Sequence, residues 1–169
     1  MMNKKLFFYF ILFGSMVMAT AQESDFDKAV ISFEFVAKKV KGTISGFTSN
    51  SRIDWEQLGN SYFEGSVATK TLDTDNGLRN WSLKSRKYFN KNAYPRIYFK
   101  SNKVTQQGSE LVVEGTLTLK GIKKPWTIVF KKDVDGILGT ATLYSYDFGI
   151  KIKKKREDNL VKVTFKFTK

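Results

Sequence analysis

The chain has 169 residues, of which 29 are Lys or Arg and 16 are Asp or Glu, so its formal net charge is +13. It contains no Cys and no His, which excludes disulfides, thiolate nucleophiles, Ser-His-Asp triads and metal centres built on imidazole. The length corresponds to one domain. The excess of positive charge favours partners with anionic surfaces, such as phospholipid head groups or acidic polysaccharide.

Residues 1–21 have the pattern of a secretory signal peptide. Lys4 and Lys5 precede the apolar run 6–13, and the segment ends in the small residues of Ala19-Thr20-Ala21. The apolar run is shorter than the ~20 residues that a membrane span needs. The sequence therefore predicts cleavage after Ala21 and a mature domain, residues 22–169, in the periplasm or outside the cell, with a retained anchor as the alternative. Export argues against a nucleic acid as the partner.

Apolar and polar residues alternate along most of the mature chain, which predicts β-strands with one buried face. Gly42 and Gly46 allow the second strand to bend, so that it continues through Phe47, Ile53 and Trp55 as one long strand. The predicted strands are, in order, 30–36, the bent strand 42–55, 63–69, 97–101, 111–119, 126–130, 138–148 and 161–167.

Turn residues separate these strands at hairpin spacing. Turns are predicted at Gly108-Ser109, around Gly121 and Pro125, and at Asp135-Gly136. The basic run 151–156 predicts a solvated hairpin loop, with a dedicated anion site as the alternative.

One helix is predicted, within the stretch 73–100. Asp75 or Asn76 is placed to cap its first turn, and Tyr94-Pro95 leads into the next strand. The apolar stripe that defines the helix is formed by Leu78, Trp81 and Ser85, with Leu83 offset by one position. A single helix in an all-β chain is expected to act as a lid or plug.

Eight antiparallel strands and one short helix predict an all-β fold, either a closed barrel or a sandwich. A closed barrel of this size has an interior that side chains fill or that holds one small ligand. The inward positions are rich in aromatic residues, which bury large areas with or without a ligand. The strand pattern alone therefore leaves open whether the interior contains a cavity.

Six motifs, in order along nearly the whole mature chain, resemble those of the YceI-like family. They are Gly42-Thr43-x-x-Gly46-Phe47, Leu72-Asp73-Thr74-x-Asn76-x-x-Arg79, Leu83-Lys84-Ser85-x-x-Tyr88-Phe89, Tyr94-Pro95-x-Ile97-x-Phe99-x-Ser101, Gly115-x-Leu117-Thr118-Leu119-x-Gly121-x-x-Lys124-Pro125 and Asp147-Phe148-Gly149-Ile150. The resemblance implies an extended, lipocalin-like antiparallel β-barrel of eight strands that is exported and binds a long-chain isoprenoid, a quinone or a similar amphiphile in an apolar tunnel. It implies no catalysis and no cofactor.

The chain departs from this family at two places. After Arg79 the family usually carries an acidic residue and then a histidine, where this chain has Asn80 and Ser82. Many members also have a Lys-His pair in the early strand, where this chain reads Ala37-Lys38-Lys39. Any role of those groups in metal binding or head-group contact is not carried over to this protein.

The inward parity and the resemblance together give a candidate ligand site. Candidate lumen residues are Phe33, Phe35, Val67, Trp81, Ile97, Phe99, Leu117, Trp126, Ile128, Phe130, Tyr144, Phe148 and Phe165. Candidate head-group contacts at the mouth are Asn76, Arg79 and Asn80. For Arg79 a salt bridge to Asp73 or Asp75 is the alternative, and for Trp81 the alternative is a plug without ligand contact.

Two further classes of function remain open at this point. The first is a stress or surface protein whose barrel is packed solid and whose basic exterior binds an anionic membrane or polysaccharide. The second is an enzyme that uses paired carboxylates, Asp73 with Asp75 or Asp133 with Asp135, although these pairs are typical of a helix cap and a turn. Asp147 is expected to form hydrogen bonds at a strand end. Association into a homodimer is also left open.

Overall fold

The computed structural model describes residues 28–54, 56–134 and 136–168. The predicted signal peptide, Trp55 and Asp135 lie outside the described residues. No helix among the described residues is long and apolar enough to cross a membrane.

The described chain forms nine strands and one α-helix. The strands are β1 (Lys28–Phe35), β2 (Val40–Ile44), β3 (Thr48–Ser49), β4 (Glu64–Ala68), β5 (Arg96–Gln107), β6 (Glu110–Leu119), β7 (Ile122–Asp133), β8 (Gly136–Tyr144) and β9 (Leu160–Thr168). The helix α1 (Gly77–Lys84) lies between β4 and β5, as predicted. Short 3-10 turns connect several of these elements, among them Val36–Lys38, Thr69–Thr71, Ser145–Phe148 and Glu157–Asn159.

All nine strands belong to one antiparallel sheet in the order β2-β1-β9-β8-β7-β6-β5-β4-β3. Neighbours in the sheet are also neighbours in sequence, except for β1 and β9, which pair the two ends of the domain. The chain passes from one edge strand, β2, to the other, β3, through only three residues centred on Gly46, whose φ is +67°. Because these two edges belong to consecutive segments, the sheet curls round into a barrel.

Hydrogen bonds across this junction join the two edges. The Thr43 N–H donates to the Asp73 carbonyl at 2.8 Å, and the Asp73 N–H donates back to the Thr43 carbonyl at 2.9 Å. Next to Gly46, the Ala68 N–H at the end of β4 donates to the Ser45 carbonyl at 2.9 Å. The backbone groups that an open sheet edge would leave free are therefore paired here.

The antiparallel barrel fold is confirmed, but the predicted count of eight strands is wrong by one. The segment predicted as one bent strand forms both β2 and β3, which hydrogen-bond to opposite edges of the sheet. After β3 the described residues of the same segment form no further strand, and Arg52 makes an isolated bridge with Tyr62. Pro125 is also not in a turn: it pairs with Thr116 inside β7, and the turn is formed by Lys120 and Gly121 at φ of 52° and 75°.

The barrel has two different ends. We call the end formed by α1, Val36–Lys38, 85–95, 120–121 and 145–159 the helix end, and the opposite end, with Gly108, Asp133 and Gly136, the far end. A packed cluster fills the part of the barrel towards the far end. Its buried members include Phe63, Val104, Leu111, Val113, Phe130, Ile137 and Phe167.

The basic run 151–156 lies in the connection between β8 and β9 and is an ordered loop. The side chain of Asn159, which has no exposed surface, accepts hydrogen bonds from the N–H groups of Ile152 and Lys153 at 2.9 and 3.0 Å. Its amide donates to the carbonyls of Lys153 and Lys155. One buried side chain therefore fixes the loop that carries the densest positive charge.

Candidate functional site

A cavity of about 580 Å³ occupies the barrel between the far-end cluster and the helix end. Its wall is formed mostly by apolar side chains that alternate along the strands. On β9, for example, Val161, Val163, Phe165 and Phe167 all line it, whereas the intervening residues face outward. The volume lies within the range of about 300–1,000 Å³ that is usual for ligand sites.

Ten of the thirteen candidate lumen residues lie in this wall. They are Phe33, Phe35, Val67, Ile97, Phe99, Leu117, Trp126, Ile128, Phe130 and Phe165. The Trp126 ring contacts two of the others edge to face, with its centroid 5.8 Å from that of Phe99 and 5.9 Å from that of Phe165. The Trp126 indole N–H donates to the Thr142 carbonyl at 2.7 Å, so the polar atom of this residue is satisfied within the sheet.

The structure places Trp81, Tyr144 and Phe148 outside the cavity wall. Trp81 is 74% exposed on the outer side of α1, so it neither lines nor plugs the lumen. Tyr144 ends β8, and the guanidinium of Arg156 lies over its ring at 3.9 Å. Phe148 lies in the 3-10 turn after β8 and packs with Leu117 and its neighbours in a separate cluster. Tyr144 has the outward parity of β8, on which its neighbour Leu143 lines the cavity, and Phe148 lies beyond the end of the strand. Trp81 was predicted from the helical stripe, and the helix turns another face to the cavity.

Other wall residues were missed by the prediction. Several have the same inward parity as the predicted ones and needed only the same argument: Ile31, Ile44, Phe63, Leu119, Val161, Val163 and Phe167. Others come from irregular segments, where no period indicates direction: Leu72, Tyr88, Phe89 and Ile150. All four positions belong to the ordered motifs, which is the one signal that points to them.

Helix α1 turns a different face to the cavity from the one predicted. The side chain of Asn76 caps the helix by accepting a hydrogen bond from the Arg79 N–H at 2.9 Å. The cavity face of the helix consists of Leu78, Arg79, Ser82 and Leu83, at the i, i+1, i+4, i+5 spacing of one helical face. Trp81 and Asn80 lie to either side of this face.

Arg79 is held by Thr74 and makes no ion pair among the described residues. Its Nε donates to the Thr74 hydroxyl at 2.8 Å and its Nη2 to the Thr74 carbonyl at 2.6 Å. The Thr74 hydroxyl donates in turn to Asn80 Oδ1 at 2.7 Å, and Asn80 Nδ2 donates to the Asp73 carboxylate at 2.6 Å. This last hydrogen bond is the main reason why the pKa of Asp73 lies below its usual value.

The same chain of hydrogen bonds fixes the positions of the three residues that were predicted at the mouth. Asn76 and Arg79 line the cavity, whereas Asn80 turns away from it and serves as the link between Thr74 and Asp73. Among the lining residues, Lys38, Asn76, Leu78 and Tyr98 are exposed to solvent, and the first three of these belong to the helix end. The cavity therefore opens at the helix end, beside the first turn of α1.

Of the carboxylates considered as acid–base groups, Asp73, Asp75, Asp133 and Asp147 lie outside the cavity wall, and Asp135 is not among the described residues. Asp133 is 3.8 Å from the ammonium of Lys166, and Asp147 accepts two hydrogen bonds from Arg156 at 2.7 and 2.5 Å. That pair of bonds holds the pKa of Asp147 below its usual value. Within 28–54, 56–134 and 136–168, no group of three or more acidic side chains is placed to hold a metal ion.

These features define a lipocalin-like β-barrel with an internal apolar cavity that opens beside a single helix. The chain belongs to the YceI-like domain family, whose sequence profile matches residues 21–168. It is 33% identical over 84 residues to UPF0312 protein plu2095 of Photorhabdus laumondii, and 31% identical over 90 residues to Protein YceI of Shigella flexneri. Those matches cover 50% and 53% of this chain, and 44% and 47% of the relatives, so the chain spans about half the length of the curated relatives it matches.

Solved structures share the fold at low sequence identity. BcnA of Burkholderia cenocepacia superposes with a TM-score of 0.77 at 16% identity, over 87% of this chain and 99% of that one. The YCEI protein of Campylobacter jejuni gives 0.61 at 15% identity, over 98% and 99%. A polyisoprenoid binding domain from Saccharophagus degradans gives 0.54 at 12% identity, over 83% and 92%. The resemblance to the YceI-like family is thereby confirmed.

Proposed function

We propose that this protein is an exported, non-catalytic binding protein that holds a long-chain isoprenoid, a quinone or a similar amphiphilic lipid inside its barrel. The observation that carries the proposal is the cavity of about 580 Å³ with its mostly apolar wall. The polyisoprenoid binding domain among the structural neighbours supports the same class of ligand. Export to the periplasm or beyond is part of the proposal and is supported by the pattern of residues 1–21.

Burial of ligand hydrocarbon supplies the binding free energy in this proposal. Each square ångström of apolar surface that leaves water contributes about 25 cal/mol. The aromatic rings of Phe99, Trp126 and Phe165 offer broad contact surfaces and already hold one another in place, so little side-chain entropy is lost on binding. A flexible unbranched or prenylated chain suits such a wall because it needs few polar contacts.

The mouth supplies the contacts for a polar head group. Arg79 uses Nε and Nη2 for Thr74, which leaves further guanidinium N–H groups for a ligand, and Thr74 fixes the orientation of the group. The exposed ammonium of Lys38 lines the same opening. A head group with carbonyl, carboxylate or phosphate oxygens therefore matches these donors, and α1 is proposed to act as the lid that carries them.

Ligand uptake tests the proposal with a matched pair of substitutions on β9. Val163 lines the cavity, whereas Thr164 faces outward on the next position. Val163→Trp fills the lumen and is expected to abolish binding of a long-chain prenyl quinone and of a polyprenol, measured by native mass spectrometry after incubation. Thr164→Trp adds the same ring outside and should bind like the wild type. Equal loss or equal retention in the two variants would contradict the proposal, as would wild-type protein that takes up neither lipid.

A solid barrel with a basic, polyanion-binding exterior is the second candidate function. The net charge of +13 favours it, but the cavity does not. Salt-sensitive binding to acidic polysaccharide by a protein that takes up no prenyl lipid is the result that would select it.

A further inference from the structure

Two large apolar side chains lie exposed on one turn of α1, at the mouth of the cavity. Leu78 is 79% exposed and Trp81 is 74% exposed, and residues three apart on a helix are surface neighbours. Among the other described aromatic residues only Tyr98, at 50%, is exposed, and the rest are buried or half-buried. An indole left in water gives up the stabilisation that its burial would provide. Leu78 also lines the cavity. The apolar surface of the lumen therefore continues onto the outer surface of the helix.

Positive charge is dense at the same end of the barrel. The ammonium of Lys120 donates to the carbonyls of Lys87 and Gly149, both at 3.3 Å, and so brings together three segments that each carry lysines. Gly149 lies two positions before Lys151, where the basic loop starts, and Lys151, Lys154 and Lys155 are exposed. Exposed carboxylates are present at the same end, those of Asp73, Asp75, Glu157 and Asp158, but the cations outnumber them.

The far end of the barrel has a more balanced distribution of charge. There Lys131 forms an ion pair with Glu110 at 2.9 Å, and Lys166 lies 3.8 Å from Asp133, so positive and negative groups alternate. The positive excess of the protein is therefore concentrated at the end where the cavity opens. Such a surface is complementary to anionic lipid head groups, and Trp is favoured at the boundary between head groups and acyl chains.

We propose that the helix end of the barrel docks on an anionic lipid bilayer, with Leu78 and Trp81 entering the interfacial region and the lysines contacting the head groups. This proposal rests on the proposed function, because it makes the lipid bilayer the partner of the same cavity mouth. In this orientation the mouth faces the bilayer, and a lipid can pass between membrane and lumen along Leu78 without crossing bulk water. The contact is peripheral and reversible, because the apolar part is only two side chains on a helix of two turns.

Vesicle co-flotation tests the apolar contact. The mature protein is mixed with vesicles of pure phosphatidylcholine, or of phosphatidylcholine with phosphatidylglycerol, and the floating fraction gives the partition coefficient. The wild type is expected to float with the anionic vesicles only. Leu78→Ser/Trp81→Ser should lower the partition coefficient at least about tenfold, since both interfacial anchors are lost. The matched control is Val134→Ser, which removes a side chain that is 95% exposed at the far end, and it should bind like the wild type.

A second pair of variants tests the charge. Lys154→Gln/Lys155→Gln should weaken binding to the anionic vesicles about tenfold or more and reduce its salt dependence. Lys131→Gln/Lys132→Gln removes the same charge from adjacent positions at the far end and should change binding by less than about threefold. Circular dichroism of all variants identifies any that fail to fold. If a variant fails to fold, Trp fluorescence takes the place of its flotation result. A blue shift on addition of anionic vesicles should occur in the wild type and disappear in Trp81→Phe.

Three results would overturn the docking proposal. The first is equal binding of the wild type to neutral and anionic vesicles, and the second is an equal loss of binding in the helix-end and far-end variants. The third is a dimer in solution that dissociates in the Leu78→Ser/Trp81→Ser variant, because these two side chains would then contact a second copy of the chain. Flotation reads surface binding alone, whereas lipid uptake is measured on the same wild-type protein without vesicles. The two assays therefore distinguish a protein that takes up lipid but does not dock on vesicles from one that docks but takes up no lipid. The first result contradicts the docking proposal alone, and the second contradicts the proposed function.

Discussion

The ring of Phe130 lies directly over Gly139, its cross-strand partner on the inner face of the barrel. A Cβ atom on Gly139 would collide with Cε1 of Phe130, and it would approach Cδ1 of the same ring to 2.7 Å. Phe130 is only 2% exposed. The glycine therefore provides the space in which the ring packs flat against the sheet.

The same arrangement recurs at two other places in the wall. A Cβ on Gly42 would lie 2.5 Å from Cζ of Phe33, its direct partner on β1, and one on Gly115 would lie 2.6 Å from Cζ of Phe99. Aromatic rings that cover glycines on neighbouring strands keep the sheet packed without projecting into the centre of the barrel. This explains how a barrel with so many inward aromatic residues retains an internal cavity.

The substitution Gly139→Ala tests this relationship. The added methyl group must displace the Phe130 ring towards the cavity, which is expected to cost about 1–3 kcal/mol in the free energy of unfolding. Urea denaturation followed by circular dichroism gives the value. Gly59→Ala is the matched control, because a Cβ there meets nothing within 4 Å, and it should change stability by less than about 0.5 kcal/mol. Similar losses in both variants would contradict the role assigned to Gly139.

The strands and their inward faces could be predicted from the sequence because the period of two records directly which side chains face the interior. Most predicted wall residues on strands, such as Val67 and Leu117, lie in the wall for this reason. The division of one strand into β2 and β3 could not be predicted. It depends on which sheet edge each half pairs with, and that is a property of the closed barrel rather than of the local sequence around Gly46.

Sequence patterns predicted the helix well but not the face that it turns to the cavity. Trp81 is the largest apolar residue of α1, so hydrophobicity assigns it to the interior, yet the cavity face contains Arg79 and Ser82. The orientation follows from the hydrogen bonds of Arg79 and Asn80 to Thr74, which fix the rotation of the helix. The exposed Trp81 forms, together with Leu78, the surface for which we propose membrane docking.

Asn80→Ala should destabilise the protein by about 1–3 kcal/mol. The Thr74 N–H and hydroxyl both donate to Asn80 Oδ1, at 2.9 and 2.7 Å, and Thr74 is 2% exposed, so two buried donors lose their acceptor. The substitution also removes the hydrogen bond to Asp73. The pKa of Asp73, followed by carbon-13 NMR of its carboxyl group, should then rise towards its usual 3.8.

Asn92→Ala is the control for this variant, because Asn92 is exposed and its side chain makes no hydrogen bond to the described residues. It should leave both stability and the pKa of Asp73 unchanged. An unaltered pKa of Asp73 in Asn80→Ala would show that the hydrogen-bond chain at the mouth does not act as described.

Replacement of Asn159 should release the basic loop at the helix end. In Asn159→Asp the side chain can still accept hydrogen bonds from the N–H groups of Ile152 and Lys153. A carboxylate cannot donate to the carbonyls of Lys153 and Lys155, and its charge is buried beside these two oxygen atoms. We expect a loss of about 2–3 kcal/mol in unfolding free energy and faster hydrogen exchange in residues 151–156. Asp158→Asn makes the reverse change at the exposed neighbouring position and should have little effect. Unchanged exchange in the loop of Asn159→Asp would contradict the account.

The ion pair of Asp147 and Arg156 should give a defined pH dependence. Hydrogen bonding from Arg156 lowers the pKa of Asp147 below 3.8 in the folded protein. The folded state therefore binds fewer protons than the unfolded state, so the pair's contribution to stability is present above about pH 4 and is lost as the pH falls through the folded-state pKa.

Arg156→Gln should raise the pKa of Asp147 towards 3.8 in a carbon-13 NMR titration. The pKa of Asp54 is lowered mainly by the backbone N–H of Gln57, so it should be the same in both proteins and serves as the internal control. An Asp147 pKa that stays low in Arg156→Gln would assign the shift to a cause other than the ion pair.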